Sequence, residues 1–380
     1  MNTLSLQKYI HQWTQMQNLV NFILQDDDNS IKEIEGISGS VTAFFAKEFS
    51  KSCVFIVPSE KDCSELILDL TTVFTDQNGI LQADIFTLPW WGFVPYRSCA
   101  KGAVVFGQRA SFLAKLASFE SSQSNSTKNS KPKFYIISQR ALMTPVPPAD
   151  YVKSLVFSIK KGQSFDPVNV AEKLSELGYL RVPRVTVRGE FTLRGEVLDI
   201  FMPGEEFAHR IVFDFDEVEQ IKSFNPETQS SLETFDSVLI YPMKEVIWNE
   251  ELVSKLEDKI KGRKDLSEYD FSSYLTELMV QKESEGEELL YPLLWQEENQ
   301  NTFKNSVLSY LGEDISVFYC DYDRQKNAQE SFDREYLGLY RKAKNLIETE
   351  NARPVPPPQD ILLNFANFQF YKKQNLLKFR

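Results

Sequence analysis

A chain of 380 residues is too long for one compact core and sufficient for two or three domains. Its formal net charge of -12 excludes a protein that coats nucleic acid non-specifically, because such binding rests on counterion release to a basic surface. Two histidines, His11 and His209, and four scattered cysteines, Cys53, Cys63, Cys99 and Cys320, argue against a zinc site or a histidine triad, and the thiols read as reduced core residues of a cytoplasmic protein.

The N-terminal run MNTLSLQKYIHQWTQMQNLVNFIL carries apolar residues at helical spacing and lacks the basic start and unbroken apolar core of a signal peptide. No segment approaches the roughly twenty apolar residues that span a bilayer, so no membrane is expected as a partner. CVFIVP, Cys53 to Pro58, predicts a strand buried on both faces of a parallel sheet. Ser59 then caps a helix with Asp62 in the capping-box position, and Cys63, Leu66, Ile67 and Leu70 share one face. ADIFTLP, VVFGQRASFLAKLASF and KFYIIS continue as strand, helix and strand, the alternation of a doubly wound α/β sheet. The polar stretch ESSQSNSTKNSKPK reads as a solvated loop.

TPVPPAD, Thr144 to Asp150, is proline punctuation, after which the pattern changes. A strand over Leu155–Ile159 and a helix over Pro167–Leu177, stopped by Gly178, precede closely spaced strands at Leu180–Val187, Glu196–Phe201, His209–Phe215 and Val218–Phe224. NPETQSS turns the chain into a last strand, Thr234–Ile240. From Ile247 the sequence is charged and helical; ISVFYC, Ile315 to Cys320, opens a further alternating unit, and ARPVPPPQDILL is an extended proline segment. The expected domains are 1–150 (α/β), 151–245 (a small inserted α+β domain) and 246–358 (a second α/β unit with helices). Residues 359–380 read as a linker or the start of a next region, and the ending on LLKFR suggests a piece of something longer.

IEGISGSVTAFFAKEF, Ile34 to Phe49, has the rhythm of a phosphate-binding turn: strand, spaced glycines, helix. Such a turn needs a close backbone approach, a lysine for the outer phosphate and a hydroxyl for magnesium. Gly36, Gly39 and Ser40 keep the frame, but Val41 stands at the third glycine, Thr42 at the lysine and Ala43 at the metal hydroxyl. Lys47 lies more than a turn further on at about 1.5 Å of rise per residue. An ordinary glycine turn that binds no nucleotide is the reading that follows.

Four segments together, GISGSVTA, VPRVTVRGEFTLRGEVLDIFMPG, HRIVFDFDEVEQIKSFNPETQ and YPLLW, resemble the N-terminal region of bacterial transcription-repair coupling factors. The same strings are shared with the first domains of excinuclease ABC protein B. The resemblance implies a degenerate helicase-like α/β body of the P-loop, RecA-like kind, into which the α+β domain is inserted. Against the excinuclease B alternative, a DNA-dependent ATPase and damage-recognition module, stand the altered turn and an acidic box reduced to Asp321-Tyr322-Asp323. The segment LPWWGFVPYRSCAKG is also too short for a long DNA-gripping hairpin. The coupling-factor resemblance implies a catalytically inert module, without cofactor, that recruits excinuclease ABC protein A to stalled transcription complexes. It assigns ATP, magnesium, RNA polymerase and double-stranded DNA to C-terminal motor domains absent here.

For that recruitment the resemblance carries Arg194 and Arg210 as partner-binding residues. It places an aromatic four residues beyond Arg210, where this chain has Asp214 with Phe215 beside it. Either Phe215 serves after a local shift, or binding relies more on the arginines. Strand alternation puts Arg210 with Val212 and Asp214, opposite Ile211 and Phe213, and so leaves it available. Arginine forks onto carboxylates and is over-represented among interface anchors. The bland alternative is that Arg181, Arg184, Arg188, Arg194 and Arg210 simply pair with Glu190, Glu196, Asp199, Glu205 and Glu206 nearby.

Overall fold

The computed structural model describes residues 13–24, 32–92, 96–97, 104–119, 131–295, 305–311, 315–350, 352–370 and 376–379. In chain order the strands are β1 (Lys32–Ile34), β2 (Cys53–Val57), β3 (Asp84–Leu88), β4 (Lys133–Ser138), β5 (Phe157–Lys160), β6 (Leu180–Arg181) and β7 (Glu190–Arg194). They continue with β8 (Val197–Ile200), β9 (Ala208–Asp214), β10 (Glu217–Phe224), β11 (Ser231–Phe235), β12 (Ser237–Ile240), β13 (Ser316–Cys320) and β14 (Leu376–Phe379). The chain packs as two compact units, one from 1–95, 122–145 and 297–380, the other from 96–121 and 146–296.

The first unit is built on a parallel sheet of order β1-β14-β13-β2-β4-β3. Strands β2 and β4 are unbroken apolar runs because helices cover both faces of such a sheet. Phe45, Phe49, Phe55, Phe134 and Phe318 form the centre of its core, with the Phe318 ring 5.2 Å from Phe45 and 5.3 Å from Phe55. The Ser59 side chain accepts from the Asp62 backbone N–H, so the helix Glu60–Phe74 starts where the capping pattern predicts. Residues 376–379, read from sequence as part of a linker or the start of a next region, pair as β14 between β1 and β13. Four residues carry too little periodicity to announce a strand, and their partners are distant in sequence. The polar loop at 120–130 and Cys99 lie outside the described residues.

The second unit holds a six-stranded sheet of order β11-β10-β9-β8-β7-β6 and a separate antiparallel pair, β12-β5. Only the β6–β7 pairing in the larger sheet is parallel. Where one long strand over 180–187 is expected, only Leu180–Arg181 pairs. Beyond Pro183 the chain turns, and the Glu190 carboxylate accepts from the backbone N–H groups of Thr186 and Val187 at 2.7 and 2.9 Å. That turn delivers β7, a strand the sequence reading lacks. The segment 234–240 divides at Asp236 between two sheets for the same reason: edge pairing is decided by partners, not by local pattern.

The helix Val104–Phe119, expected within the alternating α/β pattern, belongs to the second unit. A Cβ on its Gly107 would lie 2.4 Å from Pro203 Cβ, so only glycine permits this approach. Arg109 forks onto the buried carboxylate of Glu245, Ser111 Oγ donates to Tyr241 Oη at 3.1 Å, and Lys115 pairs with Glu205 at 2.9 Å. A helical lobe follows, where Asn249 caps Glu250–Lys261 and Trp248, Leu256, Leu278, Tyr291 and Leu294 share a core. Among the described residues no helix is long and apolar enough to cross a membrane.

Candidate functional site

The glycine turn follows β1 directly. Gly36 and Gly39 both adopt positive φ, 85° and 54°, and the helix Ser40–Phe49 begins with no side chain capping it. Thr42 and Ala43, at the lysine and metal-hydroxyl positions, are buried, and Ala43 is part of the core. Lys47 points elsewhere: its Nζ donates to the Val73 carbonyl at 2.7 Å and lies 5.7 Å from the Phe74 ring. Burial lowers its pKa, with Glu48 opposing.

Beside the turn is a cavity of about 630 Å³, bordered by the ends of β2 and β13. Gly39 and Thr42 line it together with four carboxylates, Asp62, Glu65, Asp69 and Asp321. Among the described lining residues none is basic. Arg324, outside the lining, sits 3.1 Å from Asp62 and 3.9 Å from Asp321, and Lys61 lies 3.5 Å from Glu65. Asp321 is the first residue of the reduced acidic box and takes a left-handed φ of 51° just before the helix Tyr322–Glu350. Among the described residues no cluster of His, Cys, Asp or Glu is disposed to hold a metal ion.

In the second unit, the antiparallel register brings Arg194, Asp199 and Arg210 onto one face of β7, β8 and β9. Thr192 and Arg210 both lie opposite Asp199, and Arg194 lies opposite Val197. Arg210 is on the side away from Ile211 and Phe213, but its guanidinium is not free. Its Nε donates to Asp199 Oδ1 at 2.6 Å and its Nη2 to Oδ2 at 2.7 Å, with a further bond to Gln229 at 3.2 Å. The plane also lies over the Phe224 ring, 4.6 Å from its centre. Asp199 is 2% exposed, and its hydrogen bonds raise the Arg210 pKa further.

Arg194, by contrast, is 60% exposed, and its guanidinium approaches Asp199 only to 3.9 Å. The turn after it, at Gly195 and Glu196, adjoins the end of β9, since the Phe213 N–H donates to the Glu196 carbonyl at 2.8 Å. Two residues on, Phe215 forms the tip of the β9–β10 hairpin with its side chain 79% exposed and φ at 51°. A bulky residue in the left-handed region is disfavoured, and such outliers persist where the surroundings impose them. Here the Asp216 carbonyl accepts from the Phe165 N–H at 2.6 Å and Val218 bonds Gln163 and Gly162, clamping the turn.

The other arginines follow different rules. Arg188 donates to the Glu205 carbonyl at 2.8 Å and lies over Phe201, while Arg184 reaches the Glu227 carbonyl at 3.4 Å. Of the acids offered as partners, Asp199 takes the Arg210 fork, with Arg194 3.9 Å away, whereas Glu190 serves the backbone turn and Glu205 serves Lys115 and Tyr241. The identity of Arg210's partner is visible in sequence only once the β8–β9 register is known.

Comparison with known proteins places this face within residues 157–246, which match the family described as the UvrB interaction domain. The chain is 29% identical over 350 residues to a transcription-repair-coupling factor of Borreliella burgdorferi, covering 90% of this chain and 28% of that protein. It is 27% identical over 260 residues to that of Bacillus subtilis, covering 64% and 21%. Over 138 residues it is 36% identical to UvrABC system protein B of Kosmotoga olearia, covering 36% of this chain and 20% of that protein. The chain thus spans about a quarter of the length of the curated relatives it matches. The resemblance drawn from the motifs holds: over most of its length this chain is similar to transcription-repair-coupling factors, and its residues 157–246 match the UvrB interaction domain.

Proposed function

We propose that this chain is the N-terminal module of a transcription-repair coupling factor and that it recruits excinuclease ABC protein A to stalled transcription complexes in nucleotide excision repair. The observation that carries this reading is Phe215, an aromatic side chain held in solvent on a clamped turn at the same end of the sheet as the exposed Arg194. Aromatic and arginine side chains are the usual anchors of protein interfaces, and a pre-ordered turn lowers the entropy cost of docking them. Arg210 stands behind them. RNA polymerase and double-stranded DNA are engaged by regions of the longer protein beyond this chain.

The first unit is a helicase-like body that binds no nucleotide and no magnesium. Its support is electrostatic: Lys47 is turned to Val73, Ala43 is sealed in the core, and an oligophosphate in the cavity would face four carboxylates. The ligand-sized cavity at a helix start keeps a second reading in play, an ATPase of the excinuclease B type. Calorimetric titration of the 380-residue chain with excinuclease ABC protein A, beside its Phe215→Ala variant, tests the first reading; the variant should bind about tenfold more weakly. Saturable ATP–magnesium binding that is lost on altering Ser40 to Ala43 would favour the second.

A further inference from the structure

Two arginines share one buried carboxylate on this face, and they share it unequally. Both oxygens of Asp199 accept from the Arg210 fork, at 2.6 and 2.7 Å, while Arg194 stays 3.9 Å from Oδ2, beyond hydrogen-bond distance. Building on the reading above, we infer that Arg210 is a positioning residue: by occupying Asp199 it keeps that carboxylate from capturing Arg194, the guanidinium that meets a carboxylate of the partner.

The charges close on this assignment. Arg194, Arg210 and Asp199 sum to one positive charge, and it resides on the exposed arginine. A carboxylate 2% exposed must keep a cation, because an unpaired buried charge is strongly destabilising. If Arg210 is shortened, the nearest replacement is Arg194, whose Nη2 is within a small side-chain movement of Oδ2. Arg194 would then be drawn onto the sheet and spent internally. Removal of Arg210 therefore weakens binding without any lost contact to the partner. Removal of the trap as well gives Arg194 back.

The test is a suppressor measurement on the 380-residue chain, titrated with excinuclease ABC protein A over a range of salt. Arg194→Ala should weaken binding about tenfold and flatten its salt dependence, as expected when one ionic contact is lost. Arg210→Ala should weaken it to a similar extent. In the Asp199→Asn background, which leaves no buried charge to satisfy, Arg210→Ala should have no effect, and the double variant should bind within about threefold of the original. A double variant that is folded by circular dichroism yet binds as weakly as Arg210→Ala would make Arg210 a direct contact and overturn the inference. The docking surface itself would remain. If Arg194→Ala and Phe215→Ala both bind like the original, the assignment of this face to excinuclease ABC protein A fails, and the inference with it.

Discussion

Phe215 combines a left-handed backbone with a ring held in solvent. Its φ of 51° is one that glycine or asparagine accepts readily, and its ring contacts solvent rather than the core. Phe215→Asn should therefore raise stability by about 1 kcal/mol, the low end of the cost of a non-glycine residue held in the left-handed region, while weakening partner binding. Parallel thermal melts and titrations measure both; a loss of stability would mean that the ring packs on its own domain. Arg210 makes the complementary point. Strand alternation identifies the face it occupies, but its availability depends on a carboxylate eleven residues away, brought opposite by the β8–β9 register. The glycine turn was more legible, because the chemistry at Val41, Thr42 and Ala43 is a matter of residue type alone.

At the scale of the element, the segment around Glu287 buries a charged run. EGEELLYPLLW begins with a charged run that would ordinarily be solvated, yet Glu287 and Glu288 are buried in a short 3-10 helix. Glu287 is satisfied from four sides, by Lys244 Nζ and Tyr291 Oη at 2.6 Å, Ser284 N at 2.8 Å and Trp248 Nε1 at 3.1 Å. Glu288 leaves one carboxyl oxygen without a hydrogen-bond partner. Burial, reinforced by the charges of Glu287 and Glu285 and opposed by a backbone hydrogen bond, raises its pKa from 4.5 to about 7. Between those values the folded state keeps a proton that the unfolded chain has released. Stability from this group is thus present below about 4.5 and is lost as pH rises through about 7. Glu288→Gln should remove that loss, so its advantage in urea midpoint over the original should grow from about pH 5 to about pH 8. An advantage independent of pH would show that Glu288 is ionised throughout.

For the whole molecule, the decisive feature is that neither unit is continuous in sequence. The family match covers 157–246, but the fold around it recruits the helix Val104–Phe119 through the Gly107–Pro203 approach and the Arg109–Glu245 pair. A fragment of 146–296 should accordingly be less stable than the same fragment supplemented with 96–121, by several kcal/mol from lost packing and the stranded Glu245. Denaturant titration of the two, with the helix added as a peptide, would decide; equal midpoints would mean that the helix is an appendage.

What the amino-acid order determines by itself here is whatever depends on neighbours a few residues away or on residue type. Ser59 starts its helix, Gly178 follows the end of another with φ at 91°, CVFIV and KFYIIS are buried strands, and the glycine turn has neither lysine nor metal hydroxyl at the required positions. Tertiary structure alone decided which strand flanks which, that β14 enters the first sheet, that the helix Val104–Phe119 serves the second unit, and which of two motif arginines is left exposed. The reason is the range of the forces involved. Helix periodicity and capping act within a turn or two of the chain, whereas sheet order, buried ion pairs and close glycine approaches join residues scores apart, whose meeting no local pattern encodes.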